Sequence, residues 1–161
     1  MSEPDDLSSV SPEAERFDLL IQLLKLGSMI NAPMNEGVCQ PCGISQIELK
    51  VVMALAGEGE LAGHELVQLM GVPAMNVSRA IATLRERGLV EDCADPDNRR
   101  RKPVRLTADG HAAYAATMPD IAAVASALLG SLTARERRSF AKTADLIIAA
   151  MVRWGTARDD G

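Results

Sequence analysis

The stretch from Leu61 to Gly110 constrains this chain more than any other, because few small architectures accommodate its order of stops and starts. Gly71-Val72-Pro73 reads as a turn: Gly71 can take the positive φ that ends a helix, and Pro73 has a φ suited to starting the next. From Ala74 to Arg87 the apolar residues Val77, Ile81 and Leu84 recur three or four apart, which predicts a helix with one buried stripe. Met75, Asn76, Ser78 and Arg79 lie off that stripe. With Ala74 at the helix start they are the residues expected to face outward. A helix-turn-helix sets the first side chains of such a second helix against base edges in the DNA major groove.

The second half of the stretch points the same way. Gly88 stops the helix, Leu89-Val90 begins a strand, Asp95-Pro96-Asp97-Asn98 turns it, and Val104-Arg105-Leu106 returns. The hairpin so formed carries Asn98, Arg99, Arg100, Arg101 and Lys102 at its tip, a composition suited to phosphates and the narrow minor groove. Alone, a basic run is usually a solvated face, and a helix pair with a glycine turn is common core architecture. Their adjacency argues for a wing beside a helix-turn-helix.

Charge bears on this reading through its distribution. The net charge is −5, which taken whole argues against a nucleic-acid partner. Yet Arg79, Arg85, Arg87, Arg99, Arg100, Arg101, Lys102 and Arg105 hold eight of the 17 basic residues within one short span. A basic face on an acidic body is therefore expected. The 161 residues suffice for one domain with a real core, and at 2% aromatics Ala, Leu, Ile, Val and Met must fill it. That composition favours helices. The expected fold is mainly α with a small β-hairpin wing.

Outside the central stretch, residues 1–10 are Ser-, Asp- and Pro-rich and are expected to be a disordered tail. Ser11-Pro12-Glu13 signals a helix start. Phe17, Leu20, Ile21, Leu24 and Ile30 then form an apolar face that Leu19, Leu23 and Leu26 widen, with Pro33 as its expected end and a loop from Met34 to Gly43. Ser45-x-x-Glu48 is a capping box opening a helix whose Leu49, Val52, Met53 and Leu55 should pack under the helix-turn-helix. After the wing, Thr107 caps an Ala-rich helix, bent at Pro119 and ended by Gly130. Thr133-x-x-Glu136 caps a last helix with Phe140, Ile147, Ile148 and Met151 on its apolar side. No apolar run is expected to reach the roughly 20 residues of a membrane helix. The acidic, polar N-terminus is unlike a signal peptide, so a cytoplasmic protein with reduced cysteines is expected.

The run from Glu65 to Gly110 resembles the winged helix-turn-helix of multiple-antibiotic-resistance (MarR) regulators. The resemblance rests on Glu65-Leu66, Gly71-Val72, Val77-Ser78-Arg79, Leu84, Arg87-Gly88-Leu89-Val90, Asn98-Arg99-Arg100 and Val104-Arg105-Leu106-Thr107 through Gly110. It implies a DNA-binding region over 44–110, flanked by dimerisation helices over 11–35 and 111–154. It also implies a homodimer on a palindromic operator in double-stranded DNA, acting as a repressor relieved by a small-molecule effector. Family ligands lodge between the dimerisation helices and the DNA-binding lobe, which makes Met29, Met34, Met53 and Tyr114 the candidate pocket residues. The sequence departs from the family at Asn98, where an acid usually pairs with the wing arginine matched to Arg100, and at Ala62, where Ser or Thr often caps a helix.

Catalysis has little support. The chain has no phosphate-binding glycine loop, no HExxH and no evident carboxylate pair. His64 and His111 open helices, and Ser78 has no base placed for it. No cofactor is expected. Cys39-Gln40-Pro41-Cys42 stays open between inert thiols, a redox pair and half of a metal site, the other half of which is missing from the sequence. A protein-interaction module built on a winged helix is the competing functional class.

Overall fold

The structure, a computed structural model, describes residues 11–159, so the tail expected over 1–10 lies outside the described residues. Helix α1 (Pro12–Met29) starts where Ser11 accepts the Ala14 N–H and Pro12 takes the first position, as its residues dictate. The chain breaks at Ile30 and resumes at once as α2 (Asn31–Met34), a π-helical segment (Asn35–Cys39) and α3 (Gln40–Cys42). Two expectations are corrected here. Pro33 does not end the helix; it lies in the first turn of α2, where its missing N–H costs nothing. Nor is Met34 to Gly43 a loop: the segment buries Val38 and Cys39, and the helical path satisfies the backbone that this burial takes from water. Gly43, at φ 60°, supplies the left-handed stop.

Helix α4 (Gln46–Glu58) opens with the expected capping box, Ser45 Oγ accepting from the Glu48 N–H at 3.2 Å and Glu48 accepting from the Ser45 N–H at 2.9 Å. It buries Leu49, Val51, Val52 and Leu55. Val51 takes the place expected for Met53, which stays on the exposed side. Strand β1 (Leu61–Ala62) leads into α5 (Gly63–Met70), then α6 (Ala74–Glu86), β2 (Val90–Asp92) and β3 (Pro103–Leu106). The sheet runs β1-β3-β2, all antiparallel, with Leu61 opposite Val104 and Val90 opposite Leu106. The wing is thus a hairpin plus a third, two-residue strand. That strand is too short to carry an alternating pattern.

One core gathers α4, α5, α6 and the sheet through Val52, Leu55, Leu66, Val77, Leu84 and Val104. A smaller cluster of Val38, Cys39 and Leu49 lies against Met34, Ile121 and Val124. Helix α7 (Ala108–Leu129), capped by Thr107, runs through Pro119 to Gly130, and α8 (Ala134–Asp159) follows. At 22 residues and a mean hydropathy of 1.4, α7 is long and apolar enough to cross a membrane, against the expectation that no run would be. In this fold some of its residues pack on the two cores, while Met118, Leu128 and Leu129 stay exposed. Tyr114 packs on the large core, Ile121 and Val124 on the small one, and Thr117 is buried between, donating to the Tyr114 carbonyl at 2.7 Å.

Candidate nucleic-acid interface

The turn between α5 and α6 forms as its residues require: Gly71 sits at φ 62°, and Pro73, at φ −57°, becomes the residue just before α6. Val77, Ala80, Ile81 and Leu84 then face the core, leaving Ala74, Met75, Ser78 and Arg79 exposed and Asn76 half-buried. The outward residues divide over two flanks of α6. Asn76 and Arg79 line a cleft of about 160 Å³ beside the start of α4. Ser78 lines a larger cleft of about 430 Å³ with Arg85, Cys93 and Lys102, between α6 and the wing.

The wing tip is built by Asp95, whose Oδ1 accepts the N–H groups of Asp97 and Asn98 at 3.0 and 3.1 Å. Asn98 closes the next turn by accepting the Arg100 N–H at 3.1 Å, which leaves the Arg100 guanidinium outside that bond. The pairing of position 98 with the Arg100 side chain, usual in the family, is thus replaced by a backbone contact. Arg99, Arg100 and Lys102 are exposed.

Arg101 departs from its expected place. Its guanidinium turns inward and grips Glu65 with both ends of the fork, Nε to Oε1 at 3.0 Å and Nη2 to Oε2 at 2.8 Å. It also donates to Asp95 Oδ2 and the Glu60 carbonyl, each at 3.2 Å. Glu65 accepts the Ala62 N–H at 2.6 Å, so α5 keeps the acidic half of a capping box although Ala62 offers no side-chain acceptor. The Arg101 hydrogen bond, then the Ala62 amide, hold the Glu65 carboxyl down at about 2.

Three more basic residues of the cluster are also engaged. Arg85 pairs with Asp92 at 2.7 Å, Arg105 with Glu91 at 2.9 Å, and Arg87 donates to the Gly43 carbonyl at 3.3 Å. Among the described residues, Arg79, Arg99, Arg100 and Lys102 form no ion pair. The basic face is therefore narrower than the sequence count suggests. Partners brought in from α4, α5 and β2 could not be read from a local run of charge.

The candidate pocket residues are dispersed. Met29 is 73% exposed on α1, Met53 lies on the outer side of α4, Met34 joins the small cluster and Tyr114 the large one. Cys39 and Cys42 stand one helical turn apart rather than in a flexible loop, and both are free. Burial raises the Cys39 thiol, with Glu48 adding to it. Burial also raises Cys42, helped by its 3.4 Å hydrogen bond to Asp120. Both effects disfavour the reactive thiolate. Since helix already sets the chain path there, a disulfide has no loop to fix. Among the described residues no group of three or more His, Cys, Asp or Glu is gathered as a metal site needs.

The architecture defines a winged helix-turn-helix with long helices at both ends. Residues 43–101, from the end of α3 to the wing, match the MarR family model. Over 106 residues it is 29% identical to the HTH-type transcriptional repressor NicR of Pseudomonas putida, an alignment spanning 66% of each chain. Its fold is similar to CouR from Rhodococcus jostii RHA1 bound to p-coumaroyl-CoA, at TM-score 0.71 and 20% identity, over 81% of this chain and 92% of that one. It is also similar to a mutant MarR from E. coli complexed with operator DNA, at TM-score 0.63 and 21% identity, over 87% and 99%.

Proposed function

We propose that this chain is a homodimeric, sequence-specific regulator of transcription, a repressor that binds a palindromic operator and is released by a small molecule. One observation carries the DNA reading: Ser78 of α6 and Lys102 of the wing line the same cleft. Recognition helix and wing cations therefore stand side by side, as one duplex would meet them. Asn76 suits a bidentate contact to adenine and Arg79 one to guanine. Exposed Arg99, Arg100 and Lys102 suit the phosphates and minor groove beside them.

The dimer is supported by surface that one chain cannot cover. No residue of α1 is buried, and Phe17, Leu20, Leu24, Phe140, Ile148 and Trp154 are each more than half exposed. Apolar surface on this scale marks an association site, and a two-fold dimer would set two recognition helices about 34–36 Å apart. The effector reading is supported by the ligand on the CouR neighbour, p-coumaroyl-CoA. In this chain the junction of α2, α4 and α7, with Met34 and Tyr114 half-buried near it, is the place for such a ligand.

The test is an anisotropy titration of duplexes from the chain's own upstream region. Tight binding of one duplex is expected, with Asn76→Ala weakening preference at one position of each half-site by roughly 1–3 kcal/mol. Nonspecific affinity should stay nearly intact. A folded protein that binds no duplex even at low salt would overturn the proposal in favour of a protein-interaction module.

A further inference from the structure

The Arg101 network is larger than the wing needs for its own turn. Asp95 orders the tip through the Asp97 and Asn98 amides, and Asn98 closes the next turn through the Arg100 amide, none of these bonds involving the Arg101 guanidinium. Arg101 reaches beyond the tip to Glu65 in the first turn of α5 and to the carbonyl of Glu60, just before β1. Its side chain is 23% exposed, that of Asp95 17% and that of Glu65 30%, so the three groups face one another more than they face water. A bidentate guanidinium–carboxylate pair fixes both distance and plane. The neighbours of Arg101 in sequence have no such anchor among the described residues.

Resting on the DNA-binding reading above, we propose that Arg101 is a positioning residue of the DNA interface and not a contact. It locks the wing onto the start of α5, so that Arg99, Arg100 and Lys102 are held at a set distance from the recognition helix. A hairpin joined to the body only through short strands would otherwise swing about its base. Its three cations would then meet phosphates only after losing that freedom, and affinity would fall by the cost of ordering. An arginine already gripped by two carboxylates has little left to offer a phosphate. Its charge is met inside the network, and this leaves the outward charge to its neighbours.

The signs of two substitutions separate positioning from contact. Glu65→Gln removes a negative charge from a DNA-binding protein, which by charge alone should tighten binding. If Glu65 holds the wing through Arg101, the same change should instead weaken operator binding, on the order of tenfold. Arg101→Lys keeps the charge but loses the fork and should weaken binding similarly. The double variant Glu65→Gln, Arg101→Lys should bind no worse than either single one, because both break one interaction.

These titrations are run beside circular dichroism melts and hydrogen exchange at the Asp97, Asn98 and Arg101 amides. Faster exchange there with the helices intact is the expected signature of a released wing. Glu65→Gln binding as tightly as the parent or tighter, while Arg101→Lys binds normally, would overturn the clamp. A parent protein that binds no duplex would overturn the regulator reading, and the clamp's role with it. Unchanged exchange at the three amides would overturn the clamp whatever the DNA result.

Discussion

Gly110 shows how one small residue ties the wing to the helices behind it. A Cβ at this position would run into the carbonyl oxygen of Leu89 and press on Leu106, so the start of α7 can approach the base of β2 only without a side chain. The obstacle is backbone and cannot swing aside. Gly110→Ala should therefore lower the melting temperature, although alanine is the better helix former. A thermal melt followed by circular dichroism checks this, and an unchanged or raised midpoint would mean that the strand yields easily. Asn98 is the converse case. A missing charge is evident from the residue alone, but its acceptance of the Arg100 amide depends on the local turn.

Among the elements, α5 and the wing share one electrostatic joint, and its pH dependence follows from the direction of the Glu65 shift. The carboxyl falls from an ordinary 4.5 to about 2 in the folded chain, first through Arg101 and then through the Ala62 amide. Between those values the unfolded chain holds the extra proton, so the contribution of Glu65 to stability is complete above pH 4.5 and is lost as pH falls towards 2. Acid melts should show Glu65→Gln losing less stability than the parent across that window. The two proteins should respond alike to pH above it. Equal acid slopes would mean that Glu65 is not held by Arg101. The same logic sets expectations for Cys39, at the end of the π-helical segment, and Cys42 in α3, where burial raises both thiols and so disfavours the reactive thiolate.

For the whole molecule, the unequal burial of its parts matters most. The winged helix encloses Leu55, Leu66 and Leu84 almost completely, whereas α1 buries nothing and the large apolar residues of α8 stay open. Leu20→Glu with Leu24→Glu is therefore expected to leave the winged helix folded while making the chain monomeric, as light scattering would report. Operator affinity should fall with it, since two linked half-sites bind far more tightly than one. A dimer of unchanged mass would place the interface elsewhere, and α8 would be the next element to test.

Periodicity and punctuation determined much of this protein without any tertiary information. The α5–α6 turn, the buried stripe of Val77, Ile81 and Leu84, the hairpin and the caps at Ser11, Ser45, Thr107 and Thr133 all follow from local rules: left-handed glycine, fixed proline φ, and side chains that satisfy orphan amides. Local rules act over a few residues, and there they decide. Only the tertiary structure turned Arg101 inward, placed Val51 rather than Met53 in the core, and wound 31–42 into helix. The partners that made those choices lie far along the chain: Glu65 is 36 residues from Arg101, and Asp120 is 78 from Cys42. A charge or a thiol shows in sequence what it can bind. Which partner satisfies it is settled by the neighbours that packing brings and the water that packing removes.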